Sequence, residues 1–122
     1  MPKAIDHIAL MVRDPARTAA LYTQLFDDAN AKPVEEDGDG LHGMLVQLGG
    51  TCFVLTQGEP PTKRNGDHIA FVMSKAEQLA CADKLKAHGL ECQFARGDSA
   101  LYFTDYDNHT FELDAEGGGV AG

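Results

Sequence analysis

His7 lies in the run DHIALMV at residues 6–12, and His68 lies in the run DHIAFVM at residues 67–73. These near-copies sit half a chain apart, so the two imidazoles hold equivalent positions in an internal repeat, and repeats set the architecture. Near the other end of the chain, the run NHTFELD carries a carboxylate at Glu112. Two imidazoles and one carboxylate make a facial set that suits a single divalent ion, Mn(II), Fe(II), Ni(II) or Zn(II), and leaves coordination positions open. An open position admits a substrate oxygen or a water, as metal-assisted catalysis requires. Aligning FVLT at 53–56 with FELD at 111–114 puts Val54 where Glu112 stands. Three protein ligands are therefore expected, not four.

The elements around these residues must aim them. Strand alternation sends neighbouring side chains to opposite faces. Ile8, Leu10 and Val12 form an apolar row, so His7 points the other way with Ile5 and Ala9. In the repeat, Ile69, Phe71 and Met73 form that row and His68 opposes it. In the last strand Phe111 and Leu113 share the apolar face, while Thr110, Glu112 and Asp114 share the other.

A helix signal follows each of the two repeated strands. Asp14-Pro15 supplies an N-cap and a first-turn proline, and Thr18, Leu21 and Leu25 recur at helical spacing, as do Ala19, Tyr22 and Phe26. Asp27-Asp28 leaves the end of that helix open. Ser74-Lys75-Ala76-Glu77 reads as a capping box, Ala76, Leu79, Ala80 and Leu85 as the apolar stripe, and Gly89 as the stop. His88 then lies at a helix end, where it complements the dipole. Short strands are expected near 32–36, 42–48 and 51–56, with a turn at Gly49-Gly50. In the second half they are expected near 90–95, 99–104 and 109–114, with a turn at 105–108 and a structural His109.

Each half thus reads β-α-β-β-β, an α+β class. Module 1 spans 4–56, a Pro/Gly-rich linker 57–66, module 2 67–116, and a flexible Gly-rich tail 117–122. A unit that small is marginal alone, so two units or two chains are expected to complete a core.

The composition narrows the partners. With 19 acidic and 10 basic residues the net charge is −9, and the only basic cluster is Lys63-Arg64 in the linker. Nucleic acid and anionic membranes are disfavoured, and a small molecule is expected instead. The three cysteines, Cys52, Cys81 and Cys92, are odd in number and lack C-x-x-C spacing, which argues against disulfides and thiolate zinc and for a reducing compartment. MPKAIDH has no signal-peptide core, and no apolar run approaches the roughly 20 residues of a membrane span. A cytoplasmic location is expected.

DHIALMV, GDHIAFVM and LYFTDYDNHTFELDAEG resemble the vicinal oxygen chelate superfamily, which includes glyoxalase I, extradiol dioxygenases, bleomycin-binding proteins and fosfomycin-resistance enzymes. The likeness spans residues 4 to about 116 and is nearest to the hydrolase-type fosfomycin-resistance branch. The resemblance implies two βαβββ modules forming a cupped mixed sheet around a metal held by His7, His68 and Glu112. It implies a homodimer with exchanged modules, His7 coming from one subunit and His68 and Glu112 from the other. It matches Tyr102 to a tyrosine that contacts the phosphonate, and makes Arg96 a candidate cation for that anion. Ala9 stands where those enzymes usually carry Thr. His42 lies nearest to the glutamate that serves them as general base and could accept a proton from water. The expected function is metal-dependent chemistry on a small oxygen-chelating substrate, specifically epoxide opening by water or a thiol. The alternatives are antibiotic sequestration without catalysis, glyoxalase I chemistry (weakened by Val54) and extradiol dioxygenase chemistry.

Overall fold

The computed structural model describes residues 1–34 and 43–121. The chain divides into two units, Met1–Pro61 and Thr62–Gly122. The first contains strand β1 (His7–Val12), helix α1 (Pro15–Leu25) and strands β2 (Asn30–Pro33), β3 (Gly43–Leu48) and β4 (Thr51–Gln57). The second contains β5 (His68–Met73), α2 (Lys75–Ala87), β6 (Cys92–Ala95), β7 (Ala100–Thr104) and β8 (Thr110–Ala115). Each is a βαβββ unit, as the repeat predicts. The strand orders correspond, β1-β4-β3-β2 and β5-β8-β7-β6. In each sheet the first strand runs parallel to the last and the other pairs are antiparallel. The parallel pair needs a long connection, and the helix followed by the two-strand hairpin provides it.

The helix starts follow their sequence signals. The Asp14 carboxylate accepts from Arg17 N at 3.1 Å ahead of Pro15. Ser74 Oγ accepts from Glu77 N at 3.1 Å, and Glu77 Oε1 accepts from Ser74 N at 3.2 Å. α1 stops at Leu25, where Phe26 turns extended and its N–H still reaches Tyr22 O. α2 ends on His88, with Gly89 at φ +72° and Leu90 N donating to Leu85 O at 2.9 Å. Gly49 and Gly50 take φ +60° and +76° between β3 and β4, values that glycine adopts without a Cβ penalty.

One face of each sheet packs under its helix. In the first unit Val12, Val46, Phe53 and Leu55 are buried with Leu21, Tyr22 and Leu25. In the second Leu101, Phe103, Phe111 and Leu113 are buried, and Phe103 stacks on Phe111 at 5.4 Å between centroids.

Two expectations need correction. β2 begins at Asn30, because Asn30–Pro33 pairs in antiparallel register with Met44–Gln47. The buried face of α2 is Gln78, Cys81, Ala82 and Leu85, while Leu79 is 47% exposed. Gln78 goes inside because its Nε2 donates to Leu113 O at 2.8 Å and Ser99 O at 3.0 Å. A buried amide with its hydrogen bonds made loses little by leaving water, so counting apolar residues rotated the helix wrongly. All three cysteines are free, and among the described residues no helix is long and apolar enough to cross a membrane.

Candidate metal centre

The register of the second sheet gathers a polar set on the face away from α2. Tyr102 and Ala70 flank Glu112 on neighbouring strands, His68 pairs with Thr110, and Ala100 pairs with Asp114. Glu112 Oε1 lies 3.3 Å from His68 Nε2. Its other oxygen, Oε2, accepts from Arg96 Nη2 at 2.8 Å, and the same nitrogen donates to Asp114 Oδ1 at 2.8 Å. Arg96 Nη1 reaches Tyr102 Oη at 3.3 Å, and the Tyr102 ring meets the His68 imidazole edge-on at 5.8 Å. Glu112 and Asp114 are each only 4% exposed.

A strained loop aims Arg96. Arg96, Gly97 and Asp98 all sit in the left-handed region, at φ +51°, +62° and +66°. For the two that are not glycine this costs about 1 kcal/mol each, and surrounding contacts must over-determine it. Ser99 supplies them: its N and Oγ donate to Arg96 O, and its carbonyl accepts from Ala115 N at 2.8 Å. Lys75 Nζ adds a bond to Asp98 O at 2.6 Å. Gly118 N is tied to Ala115 O at 2.8 Å, and Gly118 O accepts from Arg96 at 3.4 Å.

The charges settle accordingly. The hydrogen bond from the Asp114 carboxyl, then those from Tyr102 and Arg96, lower Glu112 to about 2 against the opposing effect of burial. Burial, and then the bond to Glu112, raises Asp114. The bond to Glu112 and burial also raise Tyr102, so its hydroxyl keeps its proton at neutral pH. Of the two carboxyl groups Glu112 therefore ionises first, and Asp114 holds its proton more tightly.

His68 Nδ1 lies 2.9 Å from Gly66 O. A carbonyl only accepts, so Nδ1 carries the proton and Nε2 is the nitrogen left for a ligand role. Nε2 and a carboxylate oxygen at 3.3 Å repel unless a proton or cation lies between them. That spacing is also what two donors show when each sits about 2.1 Å from one ion. The donor types and spacing therefore fit a divalent cation.

In the first unit His7 occupies the matching place on β1, paired with Cys52, and its Nδ1 lies 2.8 Å from Asp6 Oδ2, again leaving Nε2. Ala9 is exposed on the same face and pairs with Val54, which has no ligating atom. Among the described residues, neither unit by itself gathers three His, Cys, Asp or Glu side chains that could hold a metal. Of the expected ligands, the second unit brings His68 and Glu112 together with Arg96 and Tyr102, while His7 belongs to the first unit. His42 lies outside the described residues. His109 Nδ1 donates to Asp105 Oδ2 at 3.0 Å and its side chain is 11% exposed, a structural position.

Asp114 was on the right face in the sequence but gave no sign of its role. The signal available was its place two residues after Glu112, one strand pitch along the same face. The two Nδ1 anchors differ although the sequence repeats: Asp67 binds Asn65 instead of following Asp6 onto its histidine.

The paired βαβββ units and this polar face define a class. The chain belongs to the Glyoxalase/Bleomycin resistance protein/Dioxygenase superfamily, whose family model matches residues 4–113. Within it, the chain is similar to fosfomycin resistance protein FosX of Listeria innocua serovar 6a, 29% identical over 124 residues, covering 94% of this chain and 91% of that protein. The crystal structure of FosX from Mesorhizobium loti superposes with a TM-score of 0.81 at 28% identity, covering 99% of this chain and 96% of that one. A mutant of Listeria monocytogenes FosX, complexed with Mn(II) and 1S,2S-dihydroxypropylphosphonic acid, superposes with a TM-score of 0.80 at 26% identity, covering 99% and 96%.

Proposed function

We propose that this chain is a divalent-metal-dependent enzyme that opens the epoxide of a small phosphonate such as fosfomycin, with water as the nucleophile. The observation that carries the reading is the His68 Nε2–Glu112 Oε1 pair at 3.3 Å, its histidine tautomer fixed by Gly66. The FosX complex supports the substrate class: its ligand is a vicinal diol bearing a phosphonate, the kind of compound that water addition to an epoxide gives.

His7, His68 and Glu112 would hold the ion, and Mn(II) in the FosX complex favours manganese over iron, nickel or zinc. A bound divalent ion would supply Lewis acidity to the substrate oxygen. Tyr102, which keeps its proton, donates a hydrogen bond to an oxyanion of the substrate. Arg96 neutralises the phosphonate, and Ala9, two residues from His7 on the same face of β1, adds a small side chain beside that ligand. His42 is the proposed base that takes the proton of the attacking water. The working form is a homodimer with exchanged modules: β1 and β5 are edge strands of their sheets, and Ile5 and Val72 are each about two-thirds exposed.

The test is Mn(II) titration combined with turnover of fosfomycin followed by phosphorus NMR, without added thiol. Glu112→Gln is expected to lose both metal binding and turnover while keeping the circular dichroism of the folded protein. Normal turnover by Glu112→Gln refutes the proposal.

A further inference from the structure

We propose that Arg96 and Asp114 form a displaceable counter-cation pair: the guanidinium occupies Glu112 until a divalent ion takes that carboxylate, and Asp114 then retains Arg96. This rests on the metal-site reading above. A carboxylate as buried as Glu112 gains as an anion from a nearby cation, and Arg96 supplies one at 2.8 Å. A divalent ion and a guanidinium on one carboxylate repel each other, so the two compete.

The geometry makes the exchange easy. Nη2 lies 2.8 Å from both Glu112 Oε2 and Asp114 Oδ1, so leaving the first does not require leaving the second. Gly118 O offers a further acceptor on the same side. The Arg96 side chain is 40% exposed and can shift without repacking a core, while its backbone is pinned by Ser99. Asp114 is thus a positioning residue that acts through Arg96.

The test reads free Mn(II) by electron paramagnetic resonance during titration of the full chain. Removing the competitor in Arg96→Met is expected to tighten binding about tenfold. Removing its retaining carboxylate in Asp114→Asn, which keeps a hydrogen-bond donor, is expected to weaken binding about threefold. The double variant should match Arg96→Met alone, because Asp114 has no effect once Arg96 is gone. Arg96→Lys, with a compact ammonium in place of the fork, should fall between wild type and Arg96→Met, and carries the test if Arg96→Met fails to fold. Unchanged or weaker binding in the Arg96 variants overturns the proposal, as does an undiminished Asp114→Asn effect in the Arg96→Met background. Glu112→Gln separates the two readings. If it binds Mn(II) like wild type, or wild type binds none, the metal site itself is wrong and this inference falls with it. If Glu112→Gln abolishes binding and the Arg96 variants do nothing, only the competition is wrong.

Discussion

On β1, His7 pairs with Cys52, and the next pair on that face is Ala9 with Val54, flanked by Leu45. On β5, His68 pairs with Thr110, and the next pair is Ala70 with Glu112, flanked by Tyr102. The backbone register of these strands is the same in both units, so the difference at these positions lies in the side chains. With Val54 and Leu45 in place of a carboxylate and a phenol, the described residues of that face set His7 and Cys52 among apolar side chains. The other unit gains a buried anion, and with it the need for Arg96, Asp114 and a loop bent to deliver them. The lesson is that duplication copies the scaffold cheaply, whereas a buried charge demands a supporting shell of its own.

The comparison breaks most completely by making the second unit resemble the first. Glu112→Val is expected to reduce Mn(II) affinity at least about 100-fold, more than removal of a supporting group would. Isothermal titration calorimetry checks it; retained affinity would mean that the carboxylate is no ligand.

The helices offer a second contrast. Four residues after each N-cap stands a buried polar side chain, Thr18 in α1 and Gln78 in α2. Gln78 spans to two carbonyls of its own sheet. Gln78→Leu should cost about 2–3 kcal/mol in urea denaturation, because the carbonyl of Leu113 loses a buried donor. Thr18→Val should cost about 1 kcal/mol or less.

A third contrast appears in acid. Glu112 is lowered in the folded state from 4.5 to about 2, so its stabilising effect is complete above the ordinary carboxylate value and is lost as the pH falls towards 2. Asp114 is raised, so its effect has the opposite sign: it favours folding below its ordinary value and weakens it as the pH rises through its folded value. Denaturation across pH 2–5 should show wild type losing stability on acidification and Glu112→Gln losing less. At neutral pH Asp114→Asn should be as stable as wild type or more so, because an amide does not have to ionise beside Glu112.

Much of this fold was legible because it rests on short-range signals. The repeat, the Asp14-Pro15 and Ser74–Glu77 starts and the Gly49-Gly50 turn are written within a few residues each, and the strand parity of FELD already put Glu112 and Asp114 on one face. What could not be read depends on partners distant in sequence. Gln78 is buried because of Ser99 and Leu113, and neither is visible from the helix's own period. Arg96 reaches Glu112 through three left-handed residues, of which only Gly97 advertises such a backbone. The two histidine anchors diverge for a local reason, the capture of Asp67 by Asn65, which lies just outside the matching DHI triplets.

Those anchors give the finest test of the comparison. His7 depends on Asp6, whose side chain is 96% exposed, whereas His68 depends on a backbone carbonyl that no substitution removes. A supporting carboxylate usually changes metal affinity about 10- to 100-fold, but one in water competes with solvent and holds its histidine weakly. Asp6→Ala is therefore expected to weaken Mn(II) binding only about two- to threefold, far below the effect at Glu112. A loss as large as that of Glu112→Val would mean that Asp6 is sheltered in the working protein, and that the first unit carries as much of the site's order as the second.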